Sequence, residues 1–93
     1  MNSYKKTTRS LERIAKGFSN HRRIEIMMLI KNEPELSLIE IAEKLNINFK
    51  TAGEHTRRLV IAGLVMKRSD SRSVRHALTN LGNDVLKFLR TLE

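Results

Sequence analysis

The residues with the clearest chemistry in this sequence are its lysines and arginines, which outnumber the aspartates and glutamates 18 to 10. The excess gives a formal net charge of +8. Residues 1–10, 48–58 and 67–76 carry net charges of +3, +2 and +3, and the rest of the chain is neutral. Basic side chains gathered in patches bind phosphates and other polyanions. The charge distribution therefore predicts a polyanionic partner: DNA, RNA or an anionic membrane surface.

Residue types suited to other chemistry are absent or scattered. The sequence has no cysteine, which excludes disulfides, thiolate metal sites and cysteine nucleophiles. His21, His55 and His76 lack the spacing of a metal site, and His55 is interpreted as a packing residue. The sequence shows no glycine-rich phosphate loop and no nucleophile paired with a base. We therefore expect no enzymatic activity, cofactor, metal or small-molecule effector.

The chain that must position the basic residues is short and helix-rich. No apolar run is long enough to span a membrane, so the sequence predicts a cytoplasmic protein without a membrane partner. Residues 1–9 lack periodic apolar positions and are predicted to form a flexible basic arm before a single domain over residues 10–93. The expected fold class is mainly α with a small β-hairpin. Helices are predicted at about 10–18, 21–32, 38–45, 48–62 and 79–92, and strands at 64–68 and 73–78.

Local signals define how the third and fourth helices are joined. Ser37 followed by Glu40 is a capping box, which begins the third helix. Asn46 suits the left-handed geometry of a tight turn, and Asn48 is the expected N-cap of the fourth helix. Gly63 is expected to end that helix. Two helices in this arrangement form a helix-turn-helix, and the basic hairpin follows directly as a wing.

A longer pattern surrounds this unit. It consists of the run 41–47, Thr51, Ala52, His55, Leu59, the run 62–65, and the segments 19–24 and 78–82. These residues resemble the ArsR-type winged-helix regulators, and the resemblance covers residues about 10–92. The pattern is shared with MarR-like and related winged-helix groups. The resemblance implies transcriptional regulation, binding to double-stranded DNA, and a homodimer formed by the first and last helices.

The terminal helices have the apolar stripes that such a dimer needs. The candidate interface residues are Leu11, Ile14, Phe18, Leu81, Val85, Phe88, Leu89 and Leu92. In the alternative interpretation, both stripes complete the core of a single chain, because small cores are only marginally stable.

The resemblance places the N-terminal half of the fourth helix in the major groove. Arg57 is predicted to read a guanine through its planar fork, and Lys50 and Arg58 to contact phosphates. Arg72 at the wing tip suits phosphate or minor-groove contact. The inward positions are Ala52, His55, Thr56 and Leu59. The full set of candidate DNA-binding residues is Asn48, Phe49, Lys50, Gly53, Glu54, Arg57, Arg58, Lys67, Arg68, Arg72 and Arg75.

Two features leave the degree of sequence specificity open. Gly53 and Glu54 depart from the Ser and Arg often found at these positions in the family. Glu54 would repel phosphate unless it accepts from a cytosine amino group or pairs with a neighbouring basic residue. Lys67 and Arg68 must point to opposite faces of their strand. The alternatives to a sequence-specific regulator are an architectural DNA-binding protein and, less favoured by the charge pattern, a winged-helix protein-interaction module.

Overall fold

Five helices and one β-hairpin make up the fold. The computed structural model describes residues 5–93. The elements are α1 (Thr8–Phe18), α2 (His21–Asn32), α3 (Leu38–Leu45), α4 (Phe49–Ile61), β1 (Val65–Ser69), β2 (Val74–Leu78) and α5 (Asn80–Arg90). The predicted fold class, a winged helix-turn-helix with about five helices and a two-stranded wing, is confirmed.

The first helix begins earlier than the sequence pattern predicted. The hydroxyl of Thr7 accepts a hydrogen bond from the backbone N–H of Ser10 at 3.1 Å and caps α1. Thr8 and Arg9, which were assigned to the flexible arm, therefore belong to the first turn of α1. Residues 1–4 of the predicted arm lie outside the described residues.

The helix-turn-helix is built as its capping residues predict. Ser37 and Glu40 make both hydrogen bonds of a capping box at the start of α3. Asn46 adopts the left-handed conformation, with φ 53° and ψ 49°, and ends α3. The next residue, Ile47, donates its backbone N–H to the carbonyl oxygen of Ala42 at 3.0 Å, which closes the turn before α4.

The core lies where α2 crosses the other helices. Nine buried apolar residues form it: Ile26, Met27, Ile30, Leu36, Ile41, Leu59, Leu64, Val65 and Val85. α2 contributes Ile26, Met27 and Ile30 to this core, whereas Met28 on its outer side is 50% exposed.

The wing is anchored at its base and exposed along its length. β1 and β2 pair antiparallel, from Val65 opposite Leu78 to Ser69 opposite Val74. Leu36, just before α3, adds an isolated bridge to His76 of β2. Val65 and His76 are buried, whereas β1 is exposed from its second residue onward. The hairpin therefore projects from the domain at the C-terminal end of α4.

Two glycines allow the terminal helices to approach this region. A Cβ atom on Gly17 of α1 would collide with the Cβ of Ala62, and one on Gly82 of α5 would collide with the carbonyl oxygen of Leu64. Because the chain just after α4 meets both helices without a side chain between them, α1 and α5 fix the position of α4 and the wing.

Candidate nucleic-acid interface

The inward side of α4 is packed as the sequence predicted. Ala52, Thr56 and Leu59 are buried, and His55 is partly buried. Gly53 was predicted to face DNA, but it is half-buried, and a Cβ atom there would lie 3.4 Å from Leu38 of α3. Gly53 therefore lies at the edge of the α3–α4 contact, beside the exposed face of the helix.

The N-terminal end of α4 is exposed and capped. The side-chain oxygen of Asn48 accepts hydrogen bonds from the backbone N–H groups of Lys50 at 2.8 Å and Thr51 at 3.3 Å. This oxygen is engaged in capping, which restricts how Asn48 can contact DNA. Phe49 and Lys50 are exposed beside it, and Phe49 is the largest apolar side chain on the outward face of the helix.

Glu54 is bound by both arginines of α4. Its two carboxylate oxygens accept from Nε and Nη2 of Arg57 at 3.2 and 2.9 Å. One of the same oxygens accepts from Nε of Arg58 at 3.1 Å. Hydrogen bonds from Arg57 and then Arg58 lower the pKa of the Glu54 carboxyl to about 2. Glu54 is therefore ionised at neutral pH and neutralises part of the charge on this face.

The arginines on the wing strands are held by separate acids. Arg68 forms an ion pair with Glu35 at 3.1 Å, and Nε of Arg75 donates to Asp70 at 3.1 Å. Arg75 also donates to the backbone carbonyl oxygen of Glu35. Arg68 and Arg75 lie opposite each other, whereas Lys67 lies opposite His76. Lys67 and Arg68 therefore point to opposite faces, as predicted.

Asp70 shapes the tip of the wing. Its carboxylate accepts the backbone N–H groups of Arg72 at 2.9 Å and Ser73 at 2.8 Å. These two bonds, followed by the one from Arg75, lower the pKa of the Asp70 carboxyl to about 2. Arg72 is exposed in this turn.

Three of the candidate bases keep their charge uncompensated. Lys50, Lys67 and Arg72 form no ion pair with any acid of residues 5–93. They lie on the start of α4, on β1 and at the wing tip. The other four candidate bases of α4 and the wing are engaged: Arg57, Arg58, Arg68 and Arg75.

Sequence reasoning missed the contribution of Arg23. Its guanidinium donates from Nε to Nδ1 of His55 at 3.2 Å and from Nη1 to the carbonyl oxygens of Lys16 and Gly17. Burial, followed by the charge of Arg23, lowers the pKa of the His55 imidazole. A neutral His55 is the form that accepts this hydrogen bond. Only the distance of 32 residues along the chain hid the pair, because no local pattern links them.

The apolar stripes of the terminal helices divide into inner and outer parts. Ile14, Phe18, Leu81 and Leu89 are partly buried against the core. Val85 was predicted to face a second subunit, but it is buried within the core of this chain because it points inward from α5. The outer part of the stripes is formed by Leu11, Phe88 and Leu92, which are 40, 55 and 67% exposed.

Among residues 5–93, no three acidic or histidine side chains are grouped so that they could hold a metal ion. None of the helices described has the length and apolar character that crossing a membrane requires.

A helix-turn-helix followed by an exposed basic hairpin defines the winged-helix class of DNA-binding transcriptional regulators. The family model for the MarR family matches residues 20–77, which include α2, the helix-turn-helix and the wing up to its penultimate residue. The chain belongs to the MarR family. No curated protein matches the sequence.

Solved structures of regulators share this fold over nearly the whole chain. HlyU from Vibrio cholerae N16961 is 23% identical, with a TM-score of 0.80 over 96% of this chain and 97% of that one. HlyU from Vibrio vulnificus CMCP6, a transcriptional regulator, is 27% identical, with a TM-score of 0.74 over 91% and 88%. The homodimeric domain of Mb0332 from Mycobacterium bovis, a possible ArsR-family regulator, is 24% identical, with a TM-score of 0.78 over 91% and 78%. The resemblance to ArsR-type proteins is therefore supported at the level of the winged-helix regulators.

Proposed function

We propose that this protein is a homodimeric, sequence-specific regulator of transcription with the dimer arrangement of the ArsR type. The observation that carries the proposal is the position of the uncompensated bases. Lys50, Lys67 and Arg72 are exposed on α4 and the wing, the two elements that a winged helix applies to DNA. All three residues lie within the segment that matches the MarR family.

In this proposal the exposed face of α4 enters the major groove. Arg57 reads a guanine, because a guanidinium can donate to O6 and N7 of that base together. Lys50 lies about two turns earlier on α4 and contacts phosphate, and Phe49 offers an apolar surface to a thymine methyl group. Arg58 contacts the backbone beside the groove. These contacts would supply sequence preference from few side chains.

The wing supplies affinity with little sequence information. Arg72 at the tip reaches the backbone or the minor groove, and Lys67 adds a second positive charge along the hairpin. Arg68 and Arg75, which are tied to Glu35 and Asp70, hold the shape of the hairpin and direct its tip.

The dimer is proposed to form through α1 and α5. Leu11, Phe88 and Leu92 expose apolar surface there, and a groove of about 550 Å³ between α2 and α5 extends this surface through Met28 and Leu86. A homodimer is described for Mb0332, which shares the fold. Sedimentation equilibrium is expected to give twice the chain mass for the natural sequence and the chain mass for Phe88→Glu, which places a charge in the proposed interface. A monomeric natural chain would refute the dimer.

DNA binding is tested by selecting bound sequences from a random duplex library and titrating the winner against mixed DNA. We expect at least a ~10³-fold preference for the selected site at physiological salt. Absence of binding at low salt would refute the proposal and favour the protein-interaction module.

A second candidate, an architectural DNA-binding protein, is favoured by one observation. Glu54 holds both arginines of α4, so fewer donors are open to base edges. In that case the selection yields no motif, and affinity falls steeply with salt on every sequence.

A further inference from the structure

We propose that Glu54 is a positioning residue that makes Arg57 selective for guanine and weakens the attraction of α4 for phosphates in general. The inference rests on the proposed function, because it concerns how α4 reads DNA. It assigns to an acidic residue on a basic surface a role in specificity.

Glu54 occupies only one edge of the Arg57 guanidinium group. A guanidinium group presents its N–H donors in a fixed plane with two edges that can each grip a pair of acceptors. Glu54 takes the edge formed by Nε and Nη2 of Arg57. The other edge, formed by Nη1 and the outer hydrogen of Nη2, donates to no acceptor among residues 5–93. This outer edge is the one that can grip O6 and N7 of a guanine end-on.

Glu54 also restricts the rotamer freedom of the Arg57 side chain. An arginine side chain on a helix surface loses rotamer freedom when it binds, and that loss weakens the contact. The two bonds from Glu54, at 3.2 and 2.9 Å, hold the plane of Arg57 before DNA arrives. A guanidinium held in this orientation binds best to a base whose acceptors lie in its plane. Turning toward a phosphate would break its bonds to Glu54.

The negative charge of Glu54 also acts on the phosphates of DNA. The carboxylate of Glu54 lies between two guanidinium groups and is half-exposed, so it opposes the approach of any phosphate to this part of α4. Non-specific DNA meets this repulsion at every site, whereas the correct site offsets it through the guanine contact. Glu54 therefore lowers non-specific affinity more than specific affinity.

Direct reading of a cytosine by Glu54 is a different possibility. A carboxylate can accept from the exocyclic amine of cytosine, but both oxygens of Glu54 already accept from guanidinium groups. Three of the roughly four acceptor positions of an ionised carboxylate are therefore occupied, which leaves little capacity for a cytosine amine. The geometry therefore favours action through Arg57.

The experiment compares the natural chain with Glu54→Gln, which removes the charge at nearly constant shape, and Glu54→Asp, which keeps the charge but shortens the carboxylate. Each protein is subjected to selection from a random duplex library, and its affinity for mixed-sequence DNA is measured across a series of salt concentrations. Glu12→Gln is the matched control, since Glu12 pairs with Lys16 at 3.3 Å on α1 with i,i+4 spacing.

The two variants are expected to separate the effect of Glu54 on the orientation of Arg57 from the effect of its negative charge. Both should lose preference for guanine at one position by about tenfold, within the range of a bidentate arginine contact. Only Glu54→Gln should bind mixed DNA more tightly and with a salt slope steeper by about 0.9, because one opposing charge is gone. Glu12→Gln should change neither the motif nor the slope.

The outcomes distinguish this inference from the proposed function. If the natural chain selects a motif and Glu54→Gln leaves both the guanine preference and the salt slope unchanged, the role of Glu54 is refuted and the proposed function stands. If Glu54→Gln instead loses preference at a cytosine while guanine preference is retained, Glu54 reads a base directly and the inference is also refuted. If the natural chain selects no motif, the sequence-specific function falls and the inference falls with it.

Discussion

Helix α4 and the wing are both basic, but their basic side chains are paired with acids in different ways. On α4 a single acid, Glu54, binds two arginines and leaves Lys50 uncompensated. On the wing, Asp70 and Glu35 each bind one arginine, and Lys67 and Arg72 stay uncompensated. The net charge of a segment therefore does not measure the charge that it offers to a partner.

The two regions also differ in how firmly the domain holds them. α4 buries Ala52, Thr56 and Leu59, and Leu59 belongs to the main core. The wing buries residues only near its base. A rigid helix suits selective contacts, and a projecting hairpin suits contacts with the backbone. This difference in anchoring supports the proposal that α4 reads bases and the wing adds general affinity.

The largest expected effect concerns this difference in anchoring. Leu59→Ala should lower the free energy of unfolding by about 2–5 kcal/mol, because it leaves a cavity in the core. Val74→Ala, at the exposed start of β2, should lower it by less than about 1 kcal/mol. Urea denaturation measures both. Equal losses would contradict the view that the wing is weakly anchored.

The next effect concerns base reading by α4. Arg57→Ala should remove about 1–3 kcal/mol of preference for one base pair in the selected site. Competition between the selected site and single-substitution variants of it measures this preference. A uniform loss of affinity across all variants would instead assign Arg57 to phosphate.

The wing is expected to show the opposite behaviour. Arg72→Ala should weaken binding to every sequence by a similar factor and reduce the salt slope by about 0.9, because one phosphate contact is lost. Gel-shift titrations on the selected site and on mixed DNA provide the measurement. Loss of preference at a single base pair would give the wing a role in base reading.

The smallest effect concerns the inner side of α4. Because the pKa of His55 is lowered in the folded chain, the unfolded chain binds this proton more readily. The stabilising contribution is therefore present above pH 6.5, the ordinary pKa of histidine, and is lost as the pH falls through the lowered value. Melting temperatures at pH 7 and pH 5 should differ by a few degrees more in the natural chain than in His55→Gln. An equal pH dependence would mean that His55 does not contribute.

Local signals predicted much of the fold. The capping box at Ser37, the left-handed turn at Asn46 and the N-cap at Asn48 each involve residues within three or four positions of one another. Gly63, the residue expected to end α4, lies just after the helix and has a positive φ of 79°. Such features depend on the local backbone, so the sequence is sufficient to find them.

The electrostatic details of the site were less accessible. The pairs Arg68–Glu35 and Arg23–His55 join residues more than 30 positions apart and exist only because the helices and wing pack as they do. The grip of Glu54 on Arg57 and Arg58 follows the usual spacing of helical ion pairs, but each side chain had other partners open to it, including DNA. The burial of Val85 likewise depends on the angle at which α5 docks on the core.

The contacts of Arg23 have a consequence for the geometry of a dimer. One guanidinium group donates to two carbonyl oxygens in the last turn of α1 and to His55 of α4, so it ties the two helices together. In a dimer formed through α1, the two α4 helices would be held at a set distance and phase. Consecutive major grooves on one side of the duplex are about 34–36 Å apart. Arg23 would then help to match the separation of the two α4 helices to the pitch of DNA, although it lies away from the exposed face of α4.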